Sequence, residues 1–347
     1  MRKVQSTPNT IRVDSTPVLD TTITAKKEVV QPVTSQDVNP GASLFPGAKI
    51  KAGGGAQKLQ TLDLKDKVAT GVDQHLATLI SAVGTTNTYV VDGEVAKPGK
   101  LDLDAIGHAS FFSLLLDGAK ADDALVAAGV AIAHGVPSLY IVPQNKQLPW
   151  FLREADQTYP GTVRIIEEPI GSSLKKTLRD DKNALFGAPK PQPSLPAAAS
   201  ETFIGCLMSG LSEAQYTEGR GHLQAIDQAM REKLGAAKTH CEGIMVASTT
   251  SFGSPKESLE MDVEAVRRAD KCVFYLYDPQ PRPSGMWVEA GVALGFGKPC
   301  TFLVPSEDAL PPCLRAGNRP DNVKVVTYAD HAALVAGLAK DPAALIG

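Results

Sequence analysis

Two carboxylates in the second half of the chain, Glu289 and Asp262, are placed where a reaction could use them. Glu289 is predicted near the start of a helix, where the positive end of the helix dipole favours the ionised carboxylate. Such a carboxylate can attack an electrophilic carbon and form a covalent intermediate. We therefore expect Glu289 to be charged at neutral pH and to be the candidate nucleophile. Glutamate is also common in first helical turns simply because it stabilises the helix end, and on that alternative Glu289 has no chemical role.

Three further residues are predicted at the same edge of a sheet. Asp262 is predicted at the entry to a helix, while Ser209 and Gly210 follow the first strand of the second half. Ligands of open parallel sheets bind beyond the carboxyl ends of the strands, so these positions can share one site with Glu289. For Asp262, an equal alternative is that it caps the N-terminus of its helix.

The chain contains one series of landmarks twice. Residues 102–153 correspond to residues 262–315, with a separation of 160 residues at the first landmark and 162 at the last. The string Ala-Gly-Val-Ala occurs at 128–131 and again at 290–293; Ala127 precedes it in the first copy and Glu289 in the second. Because alanine cannot act as a nucleophile, we expect only the second copy to be catalytically competent.

The elements that must position these residues are predicted from hydrophobic patterning. Apolar strands alternate with helices, which indicates an α/β protein with two tandem flavodoxin/Rossmann-like doubly wound parallel-sheet domains. We predict domains at 47–182 and 201–347, joined by a proline-rich linker at 183–200. Predicted second-domain strands are 203–209, 243–248, 272–277, 299–304 and 323–327, and its helices are 219–234, 259–268, 285–296 and 329–338. Predicted first-domain helices are 68–83, 103–108, 122–134 and 172–178, and its strands are 48–52, 88–91, 111–116, 138–142 and 163–166.

Composition narrows the possible partners and the location. The net charge is −3 without a dense basic cluster, so we expect no nucleic-acid partner. No apolar run approaches the roughly 20 residues of a membrane span, so we expect no membrane association. The five cysteines lack paired CxxC spacing, which favours reduced thiols and an intracellular, cytoplasmic location. His134, His222, His240 and His331 lack ligand spacing, with His222 predicted on the polar side of its helix, so we expect no metal, and we expect no cofactor.

The segment from Pro283 to Pro299 resembles the nucleoside 2-deoxyribosyltransferase family. The shared features are an Asp262-to-Asp270 spacing of eight residues, the string Glu-Ala-Gly-Val-Ala from Glu289, and Gly-Lys-Pro at 297–299. The resemblance covers about 203–338, and the first copy more weakly. It implies that Glu289 attacks the anomeric carbon of a deoxynucleoside and expels the base, and that Asp262 binds or protonates that base. A second base or water then resolves the glycosyl ester.

Candidate substrate-binding residues accompany this resemblance, although the sequence also departs from the family pattern. The candidates are Ser209, Gly210, Asp278, Gly285, Met286 and Trp287. Asp278 is the nearest acid to a loop carboxylate of the family, whose place is filled here by Arg-Pro-Ser at 282–284. Cys-Leu-Met at 206–208 stands where the family has an aromatic residue in its first strand. Trp150 and Trp287 can each stack on a base or belong to the core.

Three functions remain open from the sequence. The first is transfer or hydrolysis of the N-glycosidic bond of a (deoxy)nucleoside through Glu289, with a nucleoside or nucleotide as the expected small-molecule partner. The second is hydrolysis of an NAD-type nucleotide glycoside. The third is a catalytically inactive structural component of a larger assembly, for example a cytoskeletal one, anchored by residues 1–46, which we predict to be an extended or disordered arm held by a protein partner. In the resembling family a neighbouring subunit often closes the site, so we expect a homo-oligomer or a pseudo-dimer within one chain.

Overall fold

A computed structural model gives the fold of this chain. It describes residues 101–109, 111–115, 122–142, 147–167, 170–181, 183–186, 201–207, 211–277 and 285–347. The predictions for the arm at 1–46, the strands at 48–52 and 88–91 and the helix at 68–83 lie outside the described residues.

The first unit is a parallel sheet flanked by helices. Its elements are α1 (Leu103–Gly107), β1 (Phe112–Leu115), α2 (Asp122–His134), β2 (Ser138–Val142), α3 (Ala155–Thr158), β3 (Val163–Glu167), α4 (Ser172–Asp181) and α5 (Asn183–Phe186). The described strands are parallel and adjacent in the order β1-β2-β3. The predicted linker begins too early, because its first four residues form α5, whose Phe186 is buried.

The second unit is a larger parallel sheet. Its elements are β4 (Glu201–Cys206), α6 (Glu213–Leu234), β5 (Lys238–His240), α7 (Glu242–Met245), α8 (Pro255–Arg268), β6 (Lys271–Tyr275), α9 (Gly285–Gly295), β7 (Cys300–Val304), β8 (Val323–Thr327), α10 (His331–Lys340) and α11 (Pro342–Ile346). The strand order is β5-β4-β6-β7-β8. Both units therefore have the α/β architecture with parallel sheets that the alternating pattern predicted.

The central strands β6 and β7 of the second unit are apolar on both faces because both faces are covered. Phe274 and Phe302 belong to one buried cluster, which also contains residues of α8 and α9. Their neighbours Val273 and Leu303 point the opposite way, into a second cluster with α6 and α10. Alternate side chains thus enter different cores, and the buried strands appear in the sequence as continuous apolar runs.

The prediction of a strand at 243–248 is wrong. The strand in this part of the chain is β5, which consists of Lys238, Thr239 and His240. The first residues of the predicted strand, 243–245, belong instead to the short helix α7. Among the described strands, β5 pairs only with β4 and lies at the edge of the sheet. Edge strands tolerate polar residues because one side faces away from the sheet, and the sequence therefore carried no apolar run that would mark β5.

Helix α8 begins earlier than predicted, and this changes the place of Asp262. Ser254 caps the helix and accepts a hydrogen bond from the backbone N–H of Glu257, whose side chain in turn accepts from the N–H of Ser254. Pro255 occupies the first helical position, where its missing N–H costs nothing. Asp262 therefore lies inside the helix, and the alternative that it is an N-cap is wrong.

The two units share a series of elements with matching local contacts. From α1 to α5 and from α8 to α11, helices and strands follow in the same order, apart from α3. Gly135 and Gly297, each just after the matched helix, have φ values of 64° and 67°. Arg153 Nε donates to Leu148 O over 3.1 Å, and Arg315 Nε donates to Leu310 O over 2.9 Å. The repeated landmarks therefore occupy equivalent places in the two units.

Helices α2 and α9, which carry the repeated Ala-Gly-Val-Ala, pack directly against each other. A Cβ atom on Gly129 would lie 2.1 Å from Val288 O, and one on Gly291 would lie 2.0 Å from Val126 O. Gly129 thus faces Val288, and its match Gly291 faces Val126, the match of Val288, so the contact is reciprocal. The close crossing requires glycine at both positions, and it joins the two units.

Candidate functional site

A cavity of about 460 Å³ lies at the carboxyl end of β4 and receives residues of both units. From β4 the chain passes to β5 on one side of that strand and then to β6 on the other, so β4 marks the point where the strand order reverses. This is the place at which open α/β sheets bind ligands. The cavity is lined by Gly205 and Cys206 of β4 and by the acids Glu242, Asp262 and Glu289.

Glu289 reaches the cavity from the second turn of α9. It is the fifth residue of this helix, its overall exposure is 8%, and its Oε2 atom has no hydrogen-bond partner among the described residues. Gly205 makes room for it, since a Cβ atom at that position would lie 2.7 Å from Oε2. An unpartnered carboxylate oxygen thus stands in the cavity wall.

In the ligand-free protein, the surroundings of Glu289 oppose the expected ionisation of its side chain. Burial raises the pKa of Glu289 well above its ordinary value, and the neighbouring acids Asp262 and Glu242 raise it further. The helix dipole acts mainly on the first turn, and Glu289 lies one turn further in. Desolvation and like charge therefore decide its protonation state.

Asp262 is paired with a histidine that the sequence did not single out. Its Oδ1 atom lies 2.9 Å from His240 Nε2, and the His240 ring stacks on Phe203 with the ring centroids 5.8 Å apart. Burial raises the pKa of Asp262, and the hydrogen bond from His240 opposes that rise. His240 is the last residue of β5, so the misplaced strand explains why its contact with Asp262 was missed.

Glu242 is a third cavity acid, and it was also missed. Its Oε1 atom accepts a hydrogen bond of 2.7 Å from Ser258 Oγ, and its side chain lines the cavity. Burial, with a further contribution from Asp262, raises the pKa of Glu242 to about 7. Glu242 is the first residue of α7, in a segment without a counterpart in the repeated landmarks, so no pattern in the sequence marked it.

Only some of the predicted substrate-binding residues line the cavity. Gly285 and Met286 line the cavity. Trp287 does not; it is fully buried and packs near Phe302, with the ring centroids 6.4 Å apart, so it takes the core alternative. Ser209, Gly210 and Asp278 lie outside the described residues.

The first unit supplies part of the cavity wall. Trp150, Phe151 and Arg153 all line it, and the Trp150 ring meets Phe252 edge-on with the centroids 6.2 Å apart. Trp150 is thus placed where a planar ligand could stack, which was one of its two alternatives. Phe151 also packs against Gly285, whose Cβ, if present, would lie 3.4 Å from Phe151 Cβ.

In the first unit, described positions that match the site carry different groups. Ala127, the match of Glu289, is fully buried. Asp123 matches Gly285, and its buried carboxylate accepts a hydrogen bond of 3.0 Å from the backbone N–H of Cys313, the residue that matches Phe151. Asp123 thus binds protein backbone where the second unit has a cavity.

His222 does not lie on a polar helix face, so that prediction is wrong. Its side chain is buried, its Nδ1 atom lies 2.8 Å from the Tyr275 hydroxyl, and its ring stacks on His331. Burial lowers the pKa of both histidines, and the proximity of His222 helps to lower that of His331 to about 4. Neutral rings at neutral pH can pack face to face, which makes the pair part of the core between α6 and α10.

Within the described ranges, no group of three or more metal-ligating side chains is arranged to hold an ion, and no helix is long and apolar enough to cross a membrane. The five cysteines form no disulfide. Comparison with models of known protein families finds no match to this chain, and comparison with curated proteins finds no significant relative.

Proposed function

We propose that this protein cleaves or transfers the N-glycosidic bond of a nucleoside or nucleotide through Glu289. The observation that carries the proposal is the buried, unpartnered Oε2 atom of Glu289 in the wall of a cavity with two further acids. A buried acceptor without a partner costs stability. A ligand that donates a hydrogen bond to this atom would explain why the protein keeps it.

In the proposed reaction, Glu289 has already lost its proton to solvent, and an oxygen of its carboxylate attacks the anomeric carbon of the sugar. The C–N bond breaks, its electron pair leaves with the base, and a glycosyl ester forms on Glu289. A second base or water then displaces the glutamate from the same carbon. This divides one difficult substitution into two easier ones.

The clustering of the acids fits a division of roles. Asp262 and Glu242 raise the pKa of Glu289, and Asp262 raises that of Glu242, so one acid can hold a proton while another is ionised. Asp262, fixed by His240, is the proposed proton donor to the leaving base. The positive charge that develops on the sugar stabilises the ionised form of Glu289, which the ligand-free cavity disfavours.

We also propose that the two units are tandem copies of one doubly wound, flavodoxin-like domain. The matched elements, the paired glycines of α2 and α9 and the equivalent arginine contacts support this. The first copy has lost its acid and closes the cavity of the second, so the chain is a pseudo-dimer with one competent site.

Base exchange is the direct test. The purified chain is mixed with deoxyadenosine and cytosine, and deoxycytidine is followed by chromatography. We expect exchange in the wild type and a loss of about 10³-fold or more in Glu289→Gln, because removing a nucleophile abolishes the covalent route. Glu264→Gln is the matched control, since this partly exposed acid of α8 pairs with Arg267 and does not line the cavity.

The other outcomes separate the remaining functions. Release of adenine without exchange identifies a hydrolase, and release of nicotinamide from NAD alone identifies the NAD-type glycohydrolase. If neither these substrates nor deoxyadenosine 5′-monophosphate reacts, the proposal fails and the structural role remains. Binding of residues 1–46 to a cytoskeletal protein would then be the next measurement.

A further inference from the structure

Arg153 is the one cation that lines the cavity within the described part of the chain, where the other charged lining residues are Glu242, Asp262 and Glu289. It comes from the first unit and is exposed, so its guanidinium is open to a ligand that enters from solvent. A cavity built only to receive an uncharged sugar and base has no need of an arginine in its wall.

The guanidinium of Arg153 is only partly used by the protein. Its Nε atom donates to Leu148 O over 3.1 Å, and no ion pair engages its two terminal nitrogens among the described residues. The equivalent Arg315 differs, because its Nη2 atom donates to Asp308 O over 2.8 Å and its Nη1 atom lies 3.8 Å from the carboxylate of the same residue. Where the second copy has Asp308, the first copy has Lys146. The first copy thus has the basic Lys146 at the position that matches Asp308, the acid that pairs with Arg315.

The segment that carries Arg153 is fastened to the second unit on both sides. The Trp150 ring packs against Phe252, and Glu154 Oε2 accepts a hydrogen bond of 3.1 Å from the backbone N–H of Lys256. The hydroxyl-bearing residues Thr249 and Thr250 line the same cavity. The position of Arg153 is therefore fixed relative to the groups that surround the ligand.

We propose that Arg153 forms an anion-binding subsite of this cavity, and that its ligand is a nucleotide with a phosphate on the sugar rather than an uncharged nucleoside. This inference rests on the proposed function for the identity of the glycoside. Arginine binds phosphate through two parallel charge-assisted hydrogen bonds, and the two terminal nitrogens of Arg153 are available for them. Arg153 and Glu289 line the same cavity, so one nucleotide could place its sugar at Glu289 and its phosphate at the subsite.

Binding to a chain that cannot turn over its ligand tests the subsite. Full-length Glu289→Gln protein is titrated calorimetrically, at constant ionic strength, with deoxyadenosine, deoxyadenosine 5′-monophosphate and inorganic phosphate. We expect the monophosphate to bind at least about tenfold more tightly than the nucleoside, a difference of about 1.4 kcal/mol. Adding Arg153→Gln should remove this advantage, and adding Arg153→Lys should keep part of it.

Arg164→Gln is the matched control. Arg164 is an exposed arginine of the first unit whose Nε atom donates to Leu185 O, as that of Arg153 donates to a backbone carbonyl, but it does not line the cavity. We expect this control to retain the tenfold preference. Melting curves of all variants show whether the loss of a carbonyl contact has unfolded the chain, and Arg153→Lys covers the case in which Arg153→Gln does not fold.

Each result decides the inference. Equal affinity for nucleoside and monophosphate, a preference that survives Arg153→Gln, or absence of binding by both ligands overturns it. Inorganic phosphate that binds as tightly as the nucleotide also overturns it, because the subsite would then serve free phosphate. A preference that depends on Arg153 without turnover by the wild type supports the subsite and rejects the proposed reaction, whereas cleavage of nucleosides without any preference does the reverse.

Discussion

Glu289 shows how burial and chemistry oppose each other at a single residue. Its carboxyl group lies where desolvation and two neighbouring acids raise its pKa, and its Oε2 atom has no partner among the described residues. Glu242 is in a similar position, although Ser258 satisfies one of its oxygens. Such acids lower the stability of the folded chain, and a functional site is the usual reason for tolerating them.

Glu242→Gln should reveal this cost as a stability gain that depends on pH. The folded pKa of Glu242, about 7, exceeds the unfolded value of 4.5, so the folded state binds more protons and its stability falls as pH rises between these values. We expect the variant to exceed the wild type in free energy of unfolding by about 2 kcal/mol at pH 8 and by little at pH 4. Urea denaturation of both proteins at pH 8 and at pH 4 measures this difference in free energy.

Glu264→Gln should change the free energy of unfolding in the opposite direction. Its hydrogen bonds with Arg267 lower the pKa of Glu264, so the ionised form stabilises the fold above pH 4.5 and that contribution is lost as pH falls. This variant should therefore be less stable than the wild type at pH 8, with a difference that shrinks in acid. If both variants changed stability in the same direction at pH 8, the electrostatic account of the cavity acids would be wrong.

At the scale of elements, the packing of α2 against α9 gives the repeated Ala-Gly-Val-Ala its physical meaning. Both helices are buried nearly all round, and their glycines allow the backbones to touch. A helix buried on every side has no polar face, and so it appears in the sequence as a continuous apolar run rather than as an amphipathic stripe. Gly291 belongs to the motif that resembles an enzyme signature, and it is also needed for the close contact between α2 and α9.

Gly129→Ala tests this contact away from the cavity acids. The added Cβ would lie 2.1 Å from Val288 O, so the helices must separate, and we expect a loss of about 1–3 kcal/mol or more in free energy of unfolding. Gly221→Ala is the matched control, because a Cβ there meets nothing within 4 Å and the position is inside a helix. Alanine should stabilise that helix by up to about 1 kcal/mol. Circular dichroism in urea measures both changes, and equal effects would argue against a tight crossing.

At the scale of the whole molecule, two sheets are held together by paired helices, and the cavity takes walls from both units. Trp150 and Arg153 come from the unit without the acid, and Glu289 comes from the other. The chemistry proposed for the second unit therefore depends on the first, even though Ala127 stands there at the position that matches Glu289.

Cleavage of the linker should leave the two units associated. With a protease site inserted within 190–196, we expect the two fragments to elute together in size-exclusion chromatography after cleavage, since the α2–α9 contact buries apolar surface of both. The same digest of a Gly129→Ala chain should separate more readily. Fragments that elute apart in the unmodified background would show that this contact does not hold the units together.

Some elements could be predicted from the sequence to the residue, namely α2, β2 and β8. Each has an abrupt boundary, with Gly135 and Pro137 between α2 and β2. The interior of the second sheet was predictable for the same reason, because strands buried on both faces are apolar throughout. β5 was not, since an edge strand of polar residues has no such pattern.

The sequence by itself determined the parallel α/β architecture, the repeated landmarks and the candidacy of Glu289 and Asp262, because these follow from local patterns and spacing. Only the tertiary structure decided the rest. It brought His240 and Glu242 to Asp262, buried Trp287 and placed Arg153 at a cavity of the other unit. It also placed Glu289 among groups that oppose its expected ionisation. Protonation depends on solvent exposure and on neighbours that are distant along the chain, and these are properties of the packed molecule rather than of any segment.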